Sequence, residues 1–419
     1  MKSVIVLGAG TGGTIVANRL ARRLPRDWSV TVVDPERDHV YQPGLLFIPF
    51  GGRDDVERPR RPTLGPGVTW IAEEVARVEA DARRVVLAGG GALTYDLLVV
   101  ASGARLCPEE TPGLEGPARG RTIHDFYTPA GARALREALD AFEGGRLVLN
   151  VVEMPIKCPV APLEFLFLAD DLFSRRGLRD RVELVYATPL DSAFTKPVCA
   201  ERLGFLLEDK GISLETEFSA CEVDAEGRTL RSYDDRTVAY DLLVTIPVHK
   251  GAACVEASGL GDEMGFVPTD RRTLAVRGSD RVFALGDATN LPVSKAGSVA
   301  HFQAEVLAAN LLRAIAGKSP LEESDGHANC FIESGKGKAL LIDFNYETEP
   351  LPGDFPLPRL GPFPLLKESR RNHWGKLAFR PLYWNALLPG RWLPVPNRMS
   401  LAGKRPPDGT PQEGAHADA

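Results

Sequence analysis

The strands of this chain show themselves as short, largely unbroken apolar runs. Lys2–Leu7, Val30–Val33, Leu147–Val152, Val182–Tyr186 and Arg281–Ala284 have this form, which suits strands covered on both faces in a parallel sheet. Helical patterns lie between them. Ile15, Val16, Leu20 and Leu24 repeat after the first run, Arg133–Phe142 precedes the third, Leu163–Phe173 follows it, and a helix from about Ser298 to Ala316 follows the last. Val68–Leu87 reads as further strands, Leu93–Ala104 as a strand ending in small residues, and the proline-bearing stretch 39–67 as loop. Strands and helices in alternation predict an α/β fold.

The turn after the first strand carries chemistry. Gly8-Ala9-Gly10-Thr11-Gly12-Gly13 is a G-x-G-x-x-G loop, and the second strand ends in Asp34, 21 residues after Gly13 (34 − 13). Dinucleotide sites place their acid at a spacing of about 20. Gly8 makes the tight turn, Gly10 lets the backbone approach a pyrophosphate, and Gly13 packs helix on strand. The helix N-terminus attracts the anion, and Asp34 accepts from a ribose hydroxyl. A dinucleotide site is therefore expected here.

Composition narrows the class. A chain of 419 residues has room for two or three domains, and 44% hydrophobic with 25% charged residues is globular. A net charge of −6 removes nucleic acid as an expected partner. The six cysteines (107, 158, 199, 221, 254 and 330) contain no C-x-x-C pair, so neither a disulfide scaffold nor a metal site is expected. The chain enters a strand at Ser3 with no leader pattern and has no long uncharged apolar run, which predicts a cytoplasmic protein with nothing spanning a membrane.

Three segments in order, the Gly-rich loop with Asp34, Ala101-Ser102-Gly103 and Gly286-Asp287, resemble the two-dinucleotide-binding-domain flavoproteins. The resemblance implies FAD: Gly8, Gly10, Gly13 and Asp34 on its ADP half, Ala101, Ser102 and Gly103 lying against it, and Gly286 with Asp287 holding the ribityl or pyrophosphate portion at a helix N-terminus. It also implies a second Rossmann-like domain between Gly103 and Arg281. In NADH-using members that domain has its own G-x-G-x-x-G turn and an acid closing its second strand. Here those places read Met154-Pro155-Ile156-Lys157-Cys158-Pro159 and Tyr186-Ala187-Thr188-Pro189. A loop so crowded and proline-stiffened cannot admit a pyrophosphate, which argues against NAD(P)H as substrate.

Lys157-Cys158-Pro159-Val160-Ala161-Pro162-Leu163-Glu164 resembles the central cysteine motif of sulfide:quinone oxidoreductases and of the flavoprotein subunit of flavocytochrome c sulfide dehydrogenases. Ala328-Asn329-Cys330-Phe331-Ile332-Glu333 resembles their second redox cysteine, and Asn372-His373-Trp374-Gly375-Lys376-Leu377-Ala378-Phe379 a C-terminal block. Ile246–Gly251 and Ser294–Gly297 are also similar to family stretches. The implied chemistry is oxidation of sulfide to zero-valent sulfur or polysulfide. Hydrosulfide attacks a Cys158–Cys330 disulfide and yields a persulfide and a thiolate, and two electrons pass through FAD to a membrane quinone, ubiquinone or menaquinone. Lys295 is placed near the flavin ring or quinone. Glu164 is a proton-transfer group or else a solvated helix glutamate. Cys158 is expected to open a helix whose dipole, with Lys157, lowers its thiol pKa. Many bacterial members carry a third cysteine where this chain has His124, and the segment Ser192–Lys196 lacks a histidine some members have. Cys107, Cys199, Cys221 and Cys254 read as small apolar fillers.

Residues 365–405 hold nine Lys and Arg against one acid, Glu368, with Trp374, Trp384 and Trp392 among leucines. Prolines 381, 389, 394 and 396 argue against one long helix. Short amphipathic segments of this kind suit an anionic headgroup zone; the other reading is a segment packed across the core. The expected layout is an FAD domain (1–110 and 260–320), a second Rossmann-like domain bearing Cys158 (111–259), a redox-cysteine and membrane-docking region (321–405) and a disordered tail (406–419). The expected protein is a monotopic oxidoreductase on the cytoplasmic face of the inner membrane, its oligomeric state open. The rival functions are a type-II NADH:quinone dehydrogenase-like enzyme and a flavoprotein subunit passing electrons to a cytochrome.

Overall fold

The computed structural model describes residues 1–356, 361–393 and 395–405; Pro394 and the tail expected to be disordered lie outside them. In chain order the elements that place the site are β1 (Lys2–Leu7), α1 (Thr11–Ala21), β2 (Trp28–Val33), β3 (Val68–Ile71), β4 (Leu97–Val100), β5 (Ala104–Cys107), β6 (Ile123–His124), α2 (Pro129–Ala141), β7 (Gly145–Val151), α3 (Ala161–Arg175), β8 (Val182–Ala187), α4 (Pro197–Asp209), β9 (Ile212–Glu215), β10 (Leu242–Ile246), β11 (Val248–Gly251), β12 (Val282–Ala284), α5 (Gly297–Ile315), β13 (Ala328–Gly335), β14 (Lys338–Phe344) and α6 (Arg370–Leu382).

The apolar runs assemble into two parallel five-stranded sheets. One has the order β12-β4-β1-β2-β3 and the other β6-β10-β7-β8-β9. Their central strands are sealed on both faces: Val4, Val6, Leu98, Val99, Leu147, Leu149 and Val244 are all buried. This is why the runs do not alternate. An antiparallel ribbon, β5 with β11, joins the two sheets. The chain returns to the first sheet for β12, and α5 then packs along α1.

The first turn is shaped by steric demand. Gly8 has φ +93°, and a Cβ there would sit 2.5 Å from the Ala101 carbonyl oxygen. A Cβ on Gly13 would come within 2.0 Å of the Gly8 oxygen. Neither position accepts a side chain, so α1 starts in contact with the strand that feeds it.

Several elements differ from expectation. The stretch 39–67 contains a 3-10 helix, Gln42–Phe50, and two short paired strands; its apolar residues Leu45, Leu46 and Ile48 are buried, and that burial orders a segment whose prolines suggested loop. Leu93–Ala104 is split among three strands. Asp287 lies in a single 3-10 turn, and α5 begins only at Gly297, so this acid does not sit on the helix N-terminus. Pro381 does not end its helix. Helix α6 runs through it into a π-helical turn, Tyr383–Leu387. The segment splits the two readings of its aromatics: Tyr383, Trp384, Leu387 and Leu388 are buried, while Trp374 is 67% and Trp392 78% exposed. No helix among the described residues is long and apolar enough to cross a membrane.

Candidate active site

One cleft gathers the residues singled out from sequence. Gly10, Thr11, Ala101, Gly103, Lys157, Cys158, Glu164, Gly286, Asp287, Lys295, Cys330, Phe331 and Lys376 all line it, around about 1570 Å3 of atom-free space counting its mouth. Gly8 and Gly13 lie beneath it in the turn, and Asp34 and Ser102 are beside it but not on its wall.

The dinucleotide end is built by backbone. A Cβ on Gly10 would meet nothing within 4 Å, so the loop presents open space at the point where a pyrophosphate must approach. With the helix N-terminus behind it, the site fits the ADP half of FAD. Asp34 is already engaged: its Oδ2 accepts from Ala9 N at 2.6 Å, and its Oδ1 accepts from Glu36 N at 2.9 Å and faces Arg60 at 3.2 Å. Below the loop, His39 Nδ1 lies 3.1 Å from Ala9 O, while its Nε2 meets the Tyr383 hydroxyl at 2.6 Å. That hydroxyl also meets Thr11 Oγ1 at 2.8 Å. The C-terminal segment thus reaches under the Gly-rich loop.

In the second sheet, the turn between β7 and α3 occupies residues 152–160. Lys157 bridges Lys295, and Cys158 N donates to Lys295 O at 2.7 Å. The cysteine loop is thereby stitched to the segment that follows Asp287. The Tyr127 hydroxyl donates to Lys157 O at 2.7 Å. Cys158 itself has φ +50°, a left-handed conformation rare for a residue with a side chain. Cys330 reaches the same cleft from β13, and both cysteines are free thiols.

The expected activation of Cys158 is not what the geometry gives. Helix α3 starts at Ala161, so the cysteine lies before its capping residue, Val160. Burial, and next the charge of Glu164, push the Cys158 thiol up to about 12. Burial raises Cys330 too, followed by its neighbour Cys158. Lys157 supplies little help, since burial lowers its own pKa despite Asp287. Desolvation outweighs the dipole.

Lys295 is 6% exposed and donates to the carbonyls of Asp287 at 2.9 Å and Thr289 at 2.8 Å, with Phe266 under its ammonium at 3.7 Å. Burial brings its pKa down to about 8, against the pull of Asp287. Burial also raises Asp287, against Lys295 and Lys157.

Glu164 is not a solvated helix residue. It is 1% exposed, pairs with Lys376, and accepts from Glu333 N at 2.7 Å. Burial raises its pKa, and Lys376 opposes the rise. Burial draws Lys376 down, but Glu164 and Glu333 outweigh it and the ammonium is held on. Lys376 also donates to Phe331 O at 3.0 Å, and His373 Nδ1 lies 2.9 and 3.0 Å from the two Glu333 oxygens.

Glu333, His373 and Lys376 lie inside the family-like blocks, and nothing in the sequence alone marked them as site residues. The only available signal was a lysine and a histidine three apart on one helix. His124, at the place of the third family cysteine, is buried in β6 and is not on the cleft wall. Cys107 and Cys199 are buried as fillers should be, while Cys221 and Cys254 are half-buried.

Residues 2–140 match the pyridine nucleotide-disulphide oxidoreductase family. The mitochondrial sulfide:quinone oxidoreductase of Mus musculus is 27% identical over 399 residues, covering 93% of this chain and 87% of that protein. Its namesake in Dictyostelium discoideum is 28% identical over 397 residues, covering 93% and 86%. The crystal structure of the sulfide:quinone oxidoreductase from Aquifex aeolicus superposes with a TM-score of 0.77 at 19% identity, over 93% of this chain and 92% of that one. The chain is an FAD-binding oxidoreductase that is similar over 93% of its length to sulfide:quinone oxidoreductases.

Proposed function

We propose that the protein oxidises sulfide to zero-valent sulfur or polysulfide through Cys158 and Cys330 and delivers the electrons to a membrane quinone. One observation carries this reading. Two cysteines that are 172 residues apart (330 − 158) line the cleft that holds the Gly10 loop, and the thiol-bearing turn stands where a second nucleotide loop would be. FAD, when bound, supplies a two-electron acceptor; the rest is work for the chain.

In the oxidised pair, hydrosulfide attacks one sulfur, the S–S bond breaks, and a persulfide and a thiolate result. The raised thiol pKa values mean that the released thiolate is a strong base in this setting. Glu164, itself raised by burial, is placed to exchange that proton. Lys376 offsets the negative charge that develops at the cysteines, while Lys295, drawn down to about 8, and Lys157 face Asp287. Gly8, Gly10, Gly13, Asp34, Ala101, Ser102, Gly103, Gly286 and Asp287 form the cofactor cradle of an FAD domain made from 1–110 and 260–320, with Cys158 carried by 111–259.

The exposed Trp374, Leu377 and Leu382 of α6, with Trp392 beyond it, support membrane docking of 321–405. That surface would bring the cleft to a quinone, on the cytoplasmic face. The test is Cys158→Ser. The variant should keep its FAD and lose sulfide-driven flavin bleaching; a variant that bleaches at the wild-type rate removes the thiol mechanism.

A further inference from the structure

Four ionisable side chains on three elements form one cluster that reaches from the cleft to the outside, as two contacting pairs, Glu164 with Lys376 and Glu333 with His373. Glu164 on α3 and Lys376 on α6 are on the cleft wall. Glu333 on β13 lies behind them, 1% exposed. Its backbone N–H donates to Glu164, its carboxylate meets His373 Nδ1 at 2.9 and 3.0 Å, and its charge acts on both Glu164 and Lys376. His373 on α6 is the outermost member, with a quarter of its side chain exposed. Two buried carboxylates share one ammonium, so the interior part of the cluster has the charge to bind one further proton.

The reaction proposed above needs such a proton. Hydrosulfide going to zero-valent sulfur releases two electrons and one proton, and quinone going to quinol takes two electrons and two protons. The sum, HS− + quinone + H+ → S + quinol, draws one proton from solvent in each turnover. The extra proton has to reach the cleft wall from solvent.

We propose that His373 and Glu333 are the port for that proton, handing it from solvent to the Glu164–Lys376 pair on the cleft wall. This rests on the quinone reading above. Histidine is the side chain suited to the outer position, since one ring nitrogen can face Glu333 while the other faces solvent, and each can carry or accept a proton. Glu333 couples it inward through charge: both its oxygens face the imidazole, and its carboxylate acts on Glu164 and on Lys376 across the short gap that a water would have to bridge. The pair also clamps α6 to β13, so a purely mechanical role has to be told apart from proton transfer.

The experiment separates the two half-reactions by anaerobic stopped flow. The FAD-loaded enzyme is first reduced with stoichiometric sulfide, then mixed with a short-chain ubiquinone in H2O and in D2O. In His373→Gln and in Glu333→Gln, reoxidation of the flavin by quinone should fall about a hundredfold or more, the ordinary range for lost general acid–base catalysis. It should show a larger solvent isotope effect than wild type. Imidazole added to His373→Gln should restore the rate, and sulfide-driven bleaching should proceed as in wild type. Unchanged reoxidation in both variants overturns the port. So does an equal slowing of both half-reactions with a lowered unfolding midpoint, which marks a structural strut. A wild-type reduced flavin that quinone does not reoxidise overturns the acceptor reading and the port with it.

Discussion

Replacing Lys376 with methionine tests the electrostatics of the cleft wall. The ammonium is 12% exposed and its partner Glu164 2%, so the substitution leaves a carboxylate in a nearly dry setting, with a second one, Glu333, close by. Breaking a buried pair by removing one partner costs about 3–5 kcal/mol. The cost should depend on pH in a defined direction. Without Lys376 the opposing pull on Glu164 is gone, and burial alone raises its pKa further. The folded variant then binds a proton that the unfolded chain has lost above a pH of about 4.3. Its stability relative to wild type should fall as pH rises from 5 to 8. Urea unfolding of the FAD-loaded proteins, followed by flavin fluorescence and by circular dichroism at both pH values, measures this. The double variant Lys376→Met, Glu164→Gln should recover most of the loss, because it removes the orphaned charge. A single variant as stable as wild type at pH 8 would refute the burial argument.

Tyr383→Phe removes the hydroxyl that joins His39 to Thr11 and leaves a buried imidazole nitrogen unpaired at about 1–3 kcal/mol; FAD affinity, followed by fluorescence during reconstitution, should fall about 5- to 150-fold, and unchanged affinity would show that the C-terminal segment does not support the loop. The reduced enzyme should alkylate slowly at Cys158, since a shift from 9 to about 12 lowers its thiolate at neutral pH by about a thousandfold; mass-spectrometric time courses with iodoacetamide decide this, and modification as fast as a free thiol contradicts it. Trp374→Ser with Leu377→Ser should reduce co-sedimentation with anionic vesicles, and unchanged pelleting would move the docking surface elsewhere.

Much of this architecture was legible because parallel strands leave a strong trace. Unbroken apolar runs stand out from the amphipathic pattern around them: Lys2–Leu7 is β1, and Leu147–Val152 overlaps all but the first two residues of β7. The Gly-rich loop was readable because Gly8 and Gly13 are positions where no side chain fits. What sequence misjudged depends on burial, which distant segments supply. Cys158 looked activated from its neighbours in the chain, but α3, β13 and α6 close around it and desolvation takes over. The choice between a proton-transfer group and a solvated helix glutamate stayed open for Glu164 because its partners Glu333 and Lys376 come from 169 and 212 residues away. Pro381 looked like a helix stop, yet a π-helical turn carries the chain onward into buried Tyr383 and Trp384.

The central claim is that this cleft takes electrons from sulfide and not from a nicotinamide. The most direct measurement adds sulfide, and separately NADH, to the FAD-loaded protein without oxygen and follows the flavin absorption band, then adds a short-chain quinone. The account predicts bleaching by sulfide, none by NADH, and recovery on adding quinone. Bleaching by NADH alone would contradict it and would make Cys158 a structural residue in a nucleotide site that the loop 152–160 was argued to exclude.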